Sequence, residues 1–316
     1  MIDDLTFLDD LVGPFQSKLS SGSVLTIGNF DGVHVGHRTI LRAVRADAER
    51  LGVPAVALTF EPHPATVFRG ADPSDYRITS ADEKSARLAR CGIDHVLAAH
   101  FSRAFAELTA EQFVDALLLR RLCARVVHVG YDFNYGKNRA GTRATLESRL
   151  TRHGVSTVVH RAIEQDGAIA SSTRVRELIR EGDMASVRKL LVEPYTLTGA
   201  TAPGAARGRK MGVPTVNLYP TGRLLPPYGV YATRVHLSGQ TYDAVSNLGV
   251  RPTFEDGDRV SLESFLFGDP GDVPAGSETS LEFVAHIRPE QRFESQDALR
   301  SQIAKDVAVA KEVLES

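Results

Sequence analysis

The sharpest chemical signal in this chain is the run Gly28-Asn29-Phe30-Asp31-Gly32-Val33-His34-Val35-Gly36-His37. His34 and His37 stand three apart, so on a helix they share one face. A helix N-terminus offers backbone N–H groups and the positive end of a dipole, which suit phosphate. Gly36 leaves room between the imidazoles for a nucleotide to approach. Two imidazoles aimed at one anion can donate hydrogen bonds as charge builds on a phosphoryl group. The glycines fall four apart, which is neither the G-x-G-x-x-G dinucleotide fingerprint nor a Walker A loop. A bare H-x-x-H is more often a helix cap, a surface pair or a metal site. The strand read before it and the helix after it favour nucleotide phosphate.

Two further groups carry chemistry. Ser171-Ser172-Thr173-Arg174-Val175-Arg176 sets hydroxyls at a helix start, with Arg176 one turn beyond Ser172 and Thr173. Together they could grip outer phosphates, although an ordinary Ser/Thr cap is the plainer reading. In Gly208-Arg209-Lys210-Met211-Gly212-Val213-Pro214-Thr215-Val216-Asn217, strand alternation points Thr215 and Asn217 to one face. Their oxygens are hard donors suited to Mg²⁺ beside ATP phosphates and waters. Gly208 and Arg209 could wrap those phosphates, and the spacing is again not Walker A. Glu263, in Ser261-Leu262-Glu263-Ser264-Phe265, is a carboxylate among apolar strand neighbours. It could accept the proton of an attacking alcohol, against the plainer reading of an exposed strand residue.

The elements that must position these groups follow from periodicity. Strands are expected at Val24–Gly28, Val53–Phe60, His95–His100, Ala124–Gly130 and Val155–His160. Helices are expected at Arg38–Leu51, in a long stretch ending at Leu122, near Thr142–Arg152, and after Ser171. This α/β alternation implies a parallel sheet. Near Val192-Glu193-Pro194 the rhythm changes to short strands, Thr196–Gly199, Val216–Tyr219, Val230–Leu237, Tyr242–Asn247, Val260–Phe267 and Ser280–Ile287, as in an antiparallel barrel or sandwich, and the barrel is the architecture expected. A helix with Leu299, Ile303, Val307, Ala310 and Leu314 on one face closes the chain.

At 316 residues, two domains are expected. A formal net charge of −2 argues against a nucleic-acid binder with a broad basic face. Cys91 and Cys123 suggest neither a disulfide framework nor structural zinc. No signal peptide and no apolar run of membrane-spanning length is read, so a reducing, cytoplasmic setting without membrane partners is expected. Oligomeric state is not legible.

Gly28–His37 resembles the H-x-G-H motif of bacterial bifunctional riboflavin kinase/FMN adenylyltransferases. Thr59-Phe60-Glu61-Pro62-His63-Pro64, Gly130-Tyr131-Asp132-Phe133-Asn134-Tyr135-Gly136 and Ser171–Arg176 match in order. The resemblance implies a Rossmann-like nucleotidyltransferase domain over 1–187, transferring AMP from ATP to FMN and releasing pyrophosphate. His34 and His37 would stabilise the transition state. Ser172, Thr173 and Arg176 would hold the triphosphate. Gly28, Asn29, Phe30, Gly36 and Asp132 would line the pocket, and Phe60, Pro62 and His63 would meet the flavin. Pro214-Thr215-Val216-Asn217, Asn247–Phe254, Glu263 and Glu282–Phe293 likewise resemble the riboflavin kinase barrel. That resemblance implies a kinase domain over 188–316, with Mg²⁺ on Thr215 and Asn217 and Glu263 as base. The small-molecule partners would be ATP, riboflavin and FMN.

Two departures stand out. The family's Gly-Asp-Gly-Arg-Gly run reads Pro203-Gly204-Ala205-Ala206-Arg207-Gly208, and its Asp-Leu-Tyr-Gly turn is replaced by residues 269–276. They keep two alternatives open: an adenylyltransferase with an impaired or analogue-specific kinase domain, and a non-catalytic flavin-binding regulator.

Overall fold

The computed structural model of the chain describes residues 16–202, 215–253 and 257–315. It divides into two compact units, one of residues up to 73 with 79–172, the other of 74–78 with residues from 173 onward.

In the first unit, five short runs rich in Val, Leu, Ile and Ala form strands: β1 Ser23–Ile27, β2 Ala55–Glu61, β3 His95–His100, β4 Ala124–Gly130 and β5 Ser156–His160. All neighbours are parallel, in the order β3-β2-β1-β4-β5. Alternation along each strand sorts the side chains to two faces. Leu25, Ile27, Val56, Leu58, Val127 and Val129 meet Phe113, Val114, Leu117 and Leu118 in the main core. The opposite face carries helix α1, Val35–Leu51, which packs on β1, β2 and β4 and buries Leu41, Val44 and Ala48 at helical spacing.

The expected parallel α/β sheet is therefore present. Helix α1 starts three residues before the sequence-based boundary, because His34 and His37 cap it. The expected long helix ending at Leu122 is broken. Ser102 caps Arg103–Ala106, Thr109 starts Ala110–Gln112 with a capping box, and a wider-turned π segment follows over Phe113–Arg121. Helices at Pro64–Arg69 (α2) and Ala81–Arg90 (α3) lie in a stretch with no clear period.

In the second unit six strands, β6 Thr196–Ala200, β7 Thr215–Leu218, β8 Gly229–Leu237, β9 Gln240–Thr253, β10 Gly257–Leu266 and β11 Glu278–Pro289, form one antiparallel sheet. Its order is β6-β11-β8-β9-β10-β7. The sheet curls until its two ends touch: Ala202, just past β6, donates its N–H to the Asn217 carbonyl of β7 at 2.9 Å. This is the expected barrel, half closed. Helix α4, Gln296–Glu315, seals one face with Ala310 and Leu314 against Val230, Ala232 and Val245. Arg288 secures that helix through Asp306, Nη2 to Oδ2 at 2.7 Å. Among the described residues, no helix is long and apolar enough to cross a membrane.

Candidate active sites

In the parallel sheet, β2 lies to one side of β1 and β4 to the other. The crevice beyond the carboxyl ends of β1 and β4 is thus a topological switch point, where open α/β sheets bind ligands. The Gly28–His34 loop leaves β1 at this point.

His34 is the N-cap of α1. Its Nδ1 accepts the His37 N–H at 3.4 Å, and His37 Nδ1 accepts the His34 N–H at 3.3 Å. The rings stack with centroids 3.6 Å apart. The helix-cap reading therefore holds, and it occupies only the Nδ1 atom of each ring with the cap bonds. A nitrogen that accepts a backbone N–H holds a lone pair, so each neutral ring carries its proton on Nε2. Burial first, and the neighbouring His34 second, hold the His37 pKa well below the usual imidazole value. At neutral pH His37 is an uncharged donor, able to hydrogen-bond a phosphoryl oxygen without a prior change of charge.

The other expected residues divide by role. Gly36 abuts protein: a Cβ there would stand 3.1 Å from the His34 ring and 3.4 Å from the Ala170 carbonyl. Phe30 is buried, covers Gly28, and meets the His37 ring edge-on at 5.1 Å, so it supports that imidazole from behind. Asn29 is exposed, and its carbonyl accepts Thr59 Oγ1 at 3.1 Å. Asp132 is exposed beyond β4. Phe60 joins Phe101 and Phe105 in an aromatic cluster at 5.6 and 5.7 Å. Pro62 follows a cis peptide bond, and His63 caps α2 by accepting the Ala65 N–H at 3.1 Å. The Ser172 hydroxyl, at the start of helix Ser172–Glu181, donates to the Asp31 carbonyl at 2.7 Å. Thr173 and Arg176 belong to the second unit, where Arg176 Nε donates to the Tyr76 carbonyl at 2.6 Å.

Sequence reasoning missed what stiffens the end of β2. Lys84 is buried, lies 2.6 Å from Glu61, and also donates to the Phe60 carbonyl. A lysine in a charged, amphipathic helix gives no hint of this from sequence.

In the second unit, Thr215 and Asn217 sit two apart on β7, opposite Phe265 and Glu263 of β10. Glu263 in turn faces Asn247 of β9. Asn217, Glu263 and Asn247 thus form a row across three strands. The chain neighbours of Glu263 are largely apolar, but its neighbours across the sheet are two amides, and Asn247 had drawn no role. Asn217 is 1% exposed, and its Oδ1 has no hydrogen-bond partner among the described residues. A buried acceptor without a partner is costly, so a cation or other donor bound at this point would be stabilised by it. The expected Gly208 and Arg209 lie outside the described residues. A cavity of about 540 Å³ opens beside β6 and β7, where the Arg259 guanidinium lies 4.0 Å over the Tyr219 ring.

Comparison with known proteins agrees with this division. A family profile described as FAD synthetase matches residues 16–174, and one described as Riboflavin kinase matches residues 191–314. The chain is 37% identical to the bifunctional riboflavin kinase/FMN adenylyltransferase of Escherichia coli K12, over 92% of each chain. It is 36% identical to the Haemophilus influenzae protein of that name, over 93% of this chain and 95% of that one. For the Bacillus subtilis protein the values are 34% and 90% of each. A crystal structure described as a macrolide-efflux protein from Streptococcus pneumoniae shares the fold, with a TM-score of 0.83 and 29% identity over 92% of this chain and 93% of that one.

Proposed function

The chain belongs to the bifunctional riboflavin kinase/FMN adenylyltransferase family, and from that premise we propose which of its residues carry each reaction. The enzyme phosphorylates riboflavin with ATP to give FMN and adenylylates FMN with ATP to give FAD. We assign adenylyl transfer to residues 1–187 and phosphorylation to residues 188–316. The observation that carries the first assignment is the stacked His34–His37 pair at the switch point, with His34 buried and His37 half-buried.

In adenylyl transfer, an FMN phosphate oxygen attacks the α-phosphorus of ATP and the bond to pyrophosphate breaks. The Nε2–H groups of His34 and His37 donate to the oxygens on which charge grows. Phe30 and Gly36 keep the imidazoles in place. Ser172 ties the start of its helix to the same loop, while Asn29 and Asp132 line the opening. Phe60, Pro62 and His63 form the flavin side.

In phosphorylation, Glu263 accepts the proton of the riboflavin 5′-hydroxyl as that oxygen attacks the γ-phosphorus of ATP, and the bond from that phosphorus to the leaving ADP breaks. Thr215 Oγ1 and the orphaned Asn217 Oδ1 are a hard-oxygen set that fits Mg²⁺ and would hold it. Bound there, the ion would neutralise phosphate charge. Asn247, across from Glu263, orients the carboxylate. Gly208 and Arg209 would close over phosphate. Positioning and charge neutralisation supply most of the rate in such transfers.

The partners are then small molecules, with neither nucleic acid nor membrane involved, and the working compartment is the cytoplasm. Incubation with riboflavin, ATP and Mg²⁺, followed by chromatography of the flavins, tests this reading. Both FMN and FAD are expected, and the absence of either overturns it.

A further inference from the structure

The loop that delivers His34 is bent through backbone conformations that side chains rarely adopt. Phe30 has φ 49°, Gly32 φ 87° and Val33 φ 48°. For a β-branched residue such as Val33 a positive φ is a true outlier. Strain of this kind persists only where the surroundings over-determine it, and it concentrates at functional sites.

What holds the loop is a buried clasp. Asp31 Oδ1 accepts both the Thr79 N–H at 3.0 Å and the Thr79 hydroxyl at 3.2 Å. Thr79 Oγ1 accepts the Gly32 N–H at 3.1 Å. The Gly32 carbonyl accepts Arg87 Nη1 of α3 at 3.3 Å. The Asp31 carbonyl takes the Ser172 hydroxyl. Asp31, Thr79 and Arg87 are 4%, 2% and 3% exposed. One hydroxyl thus fixes two consecutive loop residues, and the loop ends at the catalytic N-cap.

We propose that Asp31 and Thr79 are positioning residues for adenylyl transfer: their clasp holds the strained Phe30–Val33 turn, and the turn aims the His34 and His37 imidazoles. Neither residue touches substrate. Release lets Val33 relax toward negative φ, and the cap His34 moves with it. An error of about 1 Å in such placement costs on the order of 10²-fold in rate. Ground-state binding of ATP is spread over other groups, so the loss falls on kcat rather than KM.

The inference rests on the assignment of adenylyl transfer to the His34–His37 pair. The full-length wild type, Thr79→Val, Thr79→Ser and His34→Ala are compared with FMN and ATP as substrates. Thr79→Val removes the hydroxyl and should lower kcat about 30- to 100-fold, with KM for ATP changed less than about 3-fold. Thr79→Ser keeps both bonds and should stay within about 3-fold of wild type. In ring-nitrogen NMR, the His37 titration should move up toward the ordinary imidazole value in Thr79→Val, because burial and stacking are relaxed. Should Thr79→Val be unfolded at the assay temperature, Asp31→Asn gives the same split more mildly, about 10-fold in kcat. The proposal is overturned if a folded Thr79→Val keeps wild-type kcat, if Thr79→Ser is as impaired as Thr79→Val, or if a folded Asp31→Asn leaves kcat unchanged. Retained FAD formation by His34→Ala would instead overturn the underlying assignment.

Discussion

Asn217 and Glu263 stand directly opposite each other on adjacent antiparallel strands, and the Asn217 side-chain oxygen is buried with no hydrogen-bond partner among the described residues. A fold optimised for stability alone would not keep such an acceptor. Asn217→Leu should abolish riboflavin phosphorylation. The same substitution should raise the stability of the second unit by about 1–2 kcal/mol, since it removes an unsatisfied polar group at similar volume. Chemical denaturation beside the kinase assay checks both. Lost activity with lost stability would mean that Asn217 is a structural residue.

Gly36 supplies a second prediction. A methyl group at this position would press on the His34 ring from 3.1 Å, with the Ala170 carbonyl 3.4 Å away. Gly36→Ala should therefore slow FAD formation from FMN by about 10²-fold. Riboflavin phosphorylation by the same protein should be unchanged. Equal activity to wild type would show that the imidazole can shift without penalty.

A third prediction concerns pH. His128 on β4 lies beneath α1, with Nε2 3.1 Å from Asp47 and Nδ1 2.9 Å from His160 Nε2. With Asp47 ionised, His128 donates to it from Nε2 and accepts from His160 at Nδ1. Burial, then the neighbouring His160, lowers the His128 pKa to about 4. Burial lowers that of His160 as well. Between an unfolded value near 6.5 and this folded value, the unfolded chain binds more protons, so stability falls as pH falls through that window. From pH 7 to pH 4 the His128 contribution lost is about 3 kcal/mol. Urea unfolding of wild type and His128→Gln at several pH values reads it. The variant should show a shallower slope, and a wild-type stability flat from pH 7 to 5 would contradict the assignment.

Much of this was legible in the residues because the fold is built from strong local patterns. The valine-rich run at Ala124–Gly130 and the alternation around Val230–Leu237 match β4 and β8 closely. The H-x-G-H spacing pointed to one candidate site, and Thr215, Asn217 and Glu263 to the other. What stayed hidden depends on residues distant in sequence. Thr79 lies 48 positions from Asp31 and precedes a helix that no clear period announces. Asn247 joins Asn217 and Glu263 only through strand register, which composition does not encode. Phe30 and Gly36 carry an expectation of lining the nucleotide pocket. Their contacts with the imidazoles, Phe30 against the His37 ring and Gly36 against the His34 ring, need coordinates.

The central claim is that one polypeptide holds two chemically separate ATP-using centres, and the most direct measurement is the flavin product profile of two point variants. His34→Ala should convert riboflavin to FMN at the wild-type rate while FAD formation drops by at least about 10²-fold. Glu263→Ala should fail by a similar factor on riboflavin yet convert supplied FMN to FAD normally. If either variant, while folded, loses both activities or keeps both, the two-centre account is contradicted.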